Sequence, residues 1–122
     1  MTDLTTAPGQ EALVWSGGSV VVVSLRGNAP AEALAAARDR IRSLCEESPR
    51  TGILFILDGL VEPAAVAALL DPEHWKATGL RVAYAVSSEE QLLYLEERIV
   101  GRPYAAVFGD GALAYGFAAT AG

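Results

Sequence analysis

The sequence predicts an α/β fold: a mostly parallel five-stranded sheet with an N-terminal antiparallel hairpin and helical crossovers. Three observations carry this. Apolar β-prone runs alternate with helix-period segments along the chain. A Gly-Gly pair joins the first two runs. Several runs are apolar without alternation, which marks strands covered on both faces, as in a parallel sheet. At 122 residues, with 52% apolar and 20% charged residues, the chain is expected to form one globular domain over residues 11–122.

Residues 1–10 are Thr-rich, with Pro8 and Gly9 and no periodicity, and are expected to be a disordered tail. Glu11–Trp15 and Ser19–Leu25 are read as strands joined by a tight turn at Ser16-Gly17-Gly18, because glycine tolerates the positive φ of such turns. Val20–Val23 lacks alternation, which places the second strand inside the sheet. Asn28 is read as the cap of the following helix, with Pro30 in its first turn. Leu34, Ala37, Ile41, Leu44 and Cys45 then recur at helical spacing. The helix ends near Ser48-Pro49, and Gly52–Leu57 is a second buried strand, closed by Asp58-Gly59.

Pro63–Leu70 is expected to be a short helix, and Asp71-Pro72-Glu73 caps another that closes at Gly79. Leu80–Val86 is the next buried strand. Ser88-Glu89-Glu90-Gln91 has capping-box spacing, with the Gln91 side chain expected to reach the Ser88 amide. The helix it opens is expected to bury Leu92, Leu95 and Ile99. Tyr104–Phe108 is the last strand, and Ala112–Ala119 a short terminal helix.

Composition narrows function. The formal charge of −6 and the interleaving of arginines with acids disfavour nucleic acid, which needs a clustered basic face. The unbroken apolar runs, Val20–Val23 among them, are all far below the roughly 20 residues of a membrane span. No export signal is evident at the N-terminus, so a cytoplasmic protein is expected. The single cysteine, Cys45, is expected to be a small core residue.

The catalytic inventory is thin: one histidine (His74), one cysteine and one lysine (Lys76), none at a strand–helix junction, where α/β sheets gather their ligands. At those junctions Asp58 and Asp110 could hold a divalent cation, but Asp before Gly more often caps a turn. Asp58 at a strand end is also the pattern of a receiver domain, yet the further acids and the lysine that chemistry needs are missing. Arg26-Gly27-Asn28 and Gly109-Asp110-Gly111 lack the full spacing of a phosphate loop and read as turns. Ser87 and Ser88 have no histidine near in sequence to act as base and read as capping residues. Trp75, between His74 and Lys76, is a candidate lid or contact residue. Tyr115 and Phe117 either close the core or meet a partner, the former being favoured. No catalytic residue, metal ligand or cofactor is assigned; the possible ligand or partner contacts are Asp58, Ser87, Asp110, Trp75, Tyr115 and Phe117.

The stretch from Leu80 to Glu96 (Leu-Arg-Val-Ala-Tyr-Ala-Val-Ser-Ser-Glu-Glu-Gln-Leu-Leu-Tyr-Leu-Glu), with Tyr104-Ala-Ala-Val-Phe-Gly-Asp-Gly-Ala-Leu-Ala-Tyr, resembles the second half of STAS-like domains. These include the bacterial anti-sigma-factor antagonists and their STAS/CRAL-TRIO-like relatives. The opening hairpin into Val-Ser-Leu-Arg-Gly and a long helix fits as well, so the resemblance spans about residues 11–120. It implies a STAS-like fold and a non-enzymatic bacterial regulatory module that binds a protein partner, or itself as a homodimer. The alternatives are a binding protein for a small apolar or acyl ligand held between helices and sheet, and an enzyme with its site at the strand ends. In the antagonists a serine after a strand is phosphorylated by a kinase. The corresponding region here is Asp58–Pro63, and Gly52–Ala77 contains no serine, threonine or tyrosine. The resemblance therefore carries over without its phospho-switch.

Overall fold

The computed structural model describes residues 11–120; the expected tail, residues 1–10, lies outside the described residues. The chain forms strands β1 (Glu11–Gly17), β2 (Val20–Arg26), β3 (Gly52–Leu57), β4 (Arg81–Ala85) and β5 (Ala105–Phe108). Helices α1 (Ala31–Glu47), α2 (Ala67–Leu70), α3 (Glu89–Ile99) and α4 (Gly111–Ala119) accompany them. β1 pairs antiparallel with β2, and β2 to β5 are parallel, in the order β1-β2-β3-β4-β5. This is the predicted mixed α/β architecture.

The strand order matters because it never reverses. Each crossover moves one strand along in the same direction, and connections of one hand then place their helices on one face. That face holds the main core: Leu34, Ala37, Ile41 and Leu44 of α1, Leu69 and Leu70 of α2 and Leu95 of α3 meet Val21, Val23, Phe55 and Tyr84 of the sheet. Phe55 stacks on Tyr84 at 5.5 Å and tilts against Trp75 at 6.1 Å.

Among the described residues the opposite face is covered by α4 alone, whose Ala114 and Ala118 lie on Val20, Val22, Leu54, Ala83 and Ala85. Close packing of α4 depends on Gly52. A Cβ there would sit 2.3 Å from the Ala118 carbonyl oxygen, so this strand position is glycine for space. Thr51 Oγ1 donates to the same carbonyl at 2.9 Å.

Local readings need four corrections. The hairpin turn is Gly18-Ser19, because β1 runs through Gly17, which pairs with Val20, and Gly18 takes the positive φ of 66°. Asn28 does not cap α1: Pro30 occupies that position, and Asn28 instead exchanges hydrogen bonds with Glu62, 34 residues away. Asp71–Gly79 is two 3-10 turns, Pro72–His74 and Lys76–Thr78, not one helix; the Asp71 cap, which accepts from Glu73 N–H, and the closing Gly79 stand as read. In α3, Leu95 and Gln91 are buried, while Leu92 and Ile99 are half-buried.

Candidate functional site

In open α/β sheets the ligand crevice forms where strand order reverses at the carboxyl ends of the strands. This sheet has no reversal. What stands at that rim is a network of loop-to-loop hydrogen bonds. Asp58 Oδ1 accepts the Gly27 N–H at 3.3 Å and the Leu60 N–H at 2.9 Å, tying the end of β3 to the end of β2. Asn28 Nδ2 donates to Glu62 Oε1 at 2.9 Å, and the Glu62 N–H returns to Asn28 Oδ1 at 2.8 Å. Ser87 Oγ donates to the Leu57 carbonyl at 2.7 Å.

At the centre sits Gln91, 1% exposed. Its Nε2 donates to the carbonyls of Asp58 (2.7 Å) and Val61 (2.9 Å), and its Oε1 accepts the Ser87 N–H at 2.8 Å. The capping box thus forms in part. Ser88 Oγ accepts the Gln91 N–H as read, but the Gln91 side chain turns to Ser87 and the β3 loop instead of the Ser88 amide. Asp110 caps α4, accepting from Ala112 (2.7 Å) and Leu113 (3.2 Å) N–H groups.

The expected contacts therefore separate. Asp58 and Ser87 share one rim, whereas Asp110 follows β5, two strand spacings (roughly 10 Å) from β3. Each is occupied by backbone partners. Among the described residues, no group of three or more His, Cys, Asp or Glu is placed to hold a metal ion, and no buried side-chain polar atom lacks a partner. A shallow groove of about 360 Å³ over Gly59–Ala64 is edged by Glu62 and Glu90, an acidic setting that disfavours anions.

A second cleft, about 400 Å³, opens at the opposite rim between α1 and the 3-10 turns, lined by Arg42, Cys45, Glu46, Arg50, Trp75, Thr78 and Leu80. Trp75 is buried, its indole N–H donating to the Leu69 carbonyl at 2.8 Å; it forms a wall of this cleft and not a lid over one. The Cys45 thiol is half-buried, and burial pushes its pKa up, an effect that Arg50 only partly opposes. It stays protonated and weakly nucleophilic at neutral pH. Arg50 is itself tied to the Leu44 carbonyl, Ser16 Oγ and the Gly18 carbonyl.

Of the third surface the sequence analysis expected only Tyr115 as a contact; Leu13, Trp15 and Leu113 were not among the expected residues. On the face covered only by α4, Leu13 (51% exposed) and Trp15 (44%) project from β1, and Leu113 (63%) and Tyr115 (38%) from α4. Tyr115 leans over the hairpin, its hydroxyl donating to the Gly17 carbonyl at 2.8 Å. Phe117 packs the other way, under the Arg81 guanidinium at 4.7 Å and beside Phe108. The two terminal aromatics thus divide: Phe117 closes the second core, and Tyr115 borders the open surface. The legible signal was α4 itself, apolar on every side and so never amphipathic. Comparison with family models, curated proteins and solved structures gives no match to this chain.

Proposed function

We propose that this protein is a non-enzymatic bacterial regulatory module of STAS-like fold that docks a protein partner on its α4 face and runs no phospho-switch. The observation that carries the reading is the exposed apolar strip Leu13, Trp15, Leu113 and Tyr115 on a sheet face served by one nine-residue helix. Clustered apolar exposure of this kind marks interaction surfaces. Two further facts support it. The polar groups at the strand ends are consumed in holding loops together. The loop that would carry a phosphorylated serine is Asp58–Pro63, without a hydroxyl. No helix among the described residues is long and apolar enough to cross a membrane.

A photo-crosslinking residue placed at Leu113 in expressing cells should give a discrete protein adduct, while one at Glu97 on the exposed side of α3 should not. Equal labelling at both positions, or none at Leu113, counts against the reading.

A second reading rests on the cleft beside Trp75. Trp75, Leu80 and the Cys45 thiol offer an apolar wall, and Arg42 and Arg50 sit beside it, a lining suited to a small acyl or aromatic carboxylate. It lies at the sheet's rim, because the space between helices and sheet is filled by Phe55, Trp75 and Tyr84. A reproducible small mass retained on the native protein would favour it.

A further inference from the structure

We infer that the partner met by β1 is a second copy of this chain, joined edge to edge by antiparallel β1–β1 pairing about a two-fold axis through Val14. This rests on the reading of the protein as an interaction module and names the partner.

The two edges of the sheet differ. β5 is four residues long and follows Pro103, both features that blunt an edge. β1 is seven residues long, pairs with β2 without a bulge, and contains no proline or lysine. An edge of that kind is a template for another strand.

The hairpin decides which groups the template offers. Gly17 and Val20 flank the two-residue turn and pair directly, so they are a hydrogen-bonded pair, and such pairs alternate along an antiparallel ladder. Glu11, Leu13, Trp15 and Gly17 therefore spend their backbone groups on β2. Ala12, Val14 and Ser16 turn theirs outward, where among the described residues no other backbone partner meets them.

A two-fold axis at Val14 satisfies all three at once. Val14 pairs with its own copy, and Ala12 pairs with Ser16 of the second copy in both directions, giving six interchain hydrogen bonds by this geometry. The same register sets Leu13 opposite Trp15 of the other copy, twice, on the open face. These are the non-hydrogen-bonded positions, where Cα atoms approach to about 4.5 Å and side chains are closest. Aliphatic–aromatic cross-strand pairs of this kind stabilise sheets. A shift of one residue in either direction would put apolar side chains on the wrong face.

Charge agrees with this arrangement. The only charged residue of β1 is Glu11, at its start. At its other end the Arg50 guanidinium is bonded to Ser16 Oγ and the Gly18 carbonyl. Antiparallel pairing brings the acidic end of each strand to the basic end of the other, and no like charges face each other.

The test uses the full chain in two steps. Light scattering should give twice the 12.8 kDa chain mass, and Val14→Pro should return it to the single-chain mass with an unchanged far-ultraviolet spectrum. That proline removes an N–H aimed away from β2, so the hairpin keeps its own ladder. If Val14→Pro fails to fold, Leu13→Lys serves, because its side chain is exposed. In a Cys45→Ala background, Leu13→Cys mixed with Trp15→Cys should cross-link on oxidation. Either variant alone should not, since only opposed positions fall within the roughly 4.4–6.8 Å Cα range of a disulfide.

A single-chain mass for the wild type overturns the inference. A dimer that does not cross-link in the mixture also overturns it. A foreign protein, and no second copy, in the Leu113 adduct would defeat this pairing while leaving the interaction reading intact.

Discussion

Gln91 shows how one side chain can replace a ligand site with a joint. Three backbone groups from two loops converge on its amide: the Ser87 N–H and the carbonyls of Asp58 and Val61, of which Asp58 also accepts the Val61 N–H at 3.2 Å. Gln91→Leu removes all three bonds and leaves the buried Val61 carbonyl without this donor, which costs on the order of 1–3 kcal/mol, read as a lower urea midpoint. Gln91→Glu is expected to be worse at neutral pH, because a carboxylate would face two carbonyl oxygens. Its deficit should shrink on acidification as the buried carboxyl takes up a proton.

A second residue-scale prediction concerns Glu73, whose carboxyl is held below the usual range by its hydrogen bond from Arg102 at 2.5 Å. A depressed carboxyl pKa adds stability above the unfolded value, about 4.3, and loses it as pH falls through the lower folded value. Glu73→Gln should therefore lower the urea midpoint slightly at pH 7, and the difference from wild type should vanish as pH falls through the lowered folded pKa.

At the scale of elements, the docking of α4 decides how the second face is built. Gly52→Ala places a methyl against the Ala118 backbone, which cannot rotate away as a side chain would. We expect a loss of about 1–3 kcal/mol, the usual range for overpacking, together with faster hydrogen exchange in α4. An unchanged α4 would show that the helix is not seated on β3 as described. The elements themselves were largely legible. Gly52–Leu57 was readable to the residue because an unbroken apolar run ends at Asp58, a turn-former. The hairpin turn was misplaced because Gly17, which looked like turn, serves as strand, where a Cβ would press on Val22 Cγ2 at 3.1 Å. Asn28 and Gln91 were misassigned for one reason: both carry residue types that cap helices locally, but Asn28 bonds to Glu62, and the Gln91 amide nitrogen to Asp58 and Val61, 30 or more residues away. Local sequence carries no record of such contacts.

For the whole molecule, strand order is the deciding property, and it was not legible. The sequence predicted parallel strands and crossovers, but nothing in an apolar run says which neighbour it takes. Once the order is seen to be monotonic, two consequences follow together: no crevice forms at a reversal point, and one sheet face is left to a single short helix. The residues chosen at the strand ends, Asp58, Ser87 and Asp110, were rightly placed at loops, yet the structure spends them internally. Of the apolar strip only Tyr115 was expected, because alternating Leu13 and Trp15 look like ordinary strand residues until their neighbours are known. Disrupting that strip should change association and leave the fold alone: Leu113→Lys, at a 63% exposed position, should keep the thermal midpoint within about 1 kcal/mol of stability while abolishing the adduct formed by a photo-crosslinking residue moved to Tyr115 on the same face.

Native mass spectrometry of the purified chain tests the interaction module most directly, since it reports subunit number and retained small molecules together. Two chains with no added mass is the expected result. A single chain carrying a reproducible small adduct would contradict it and move attention to the cleft beside Trp75.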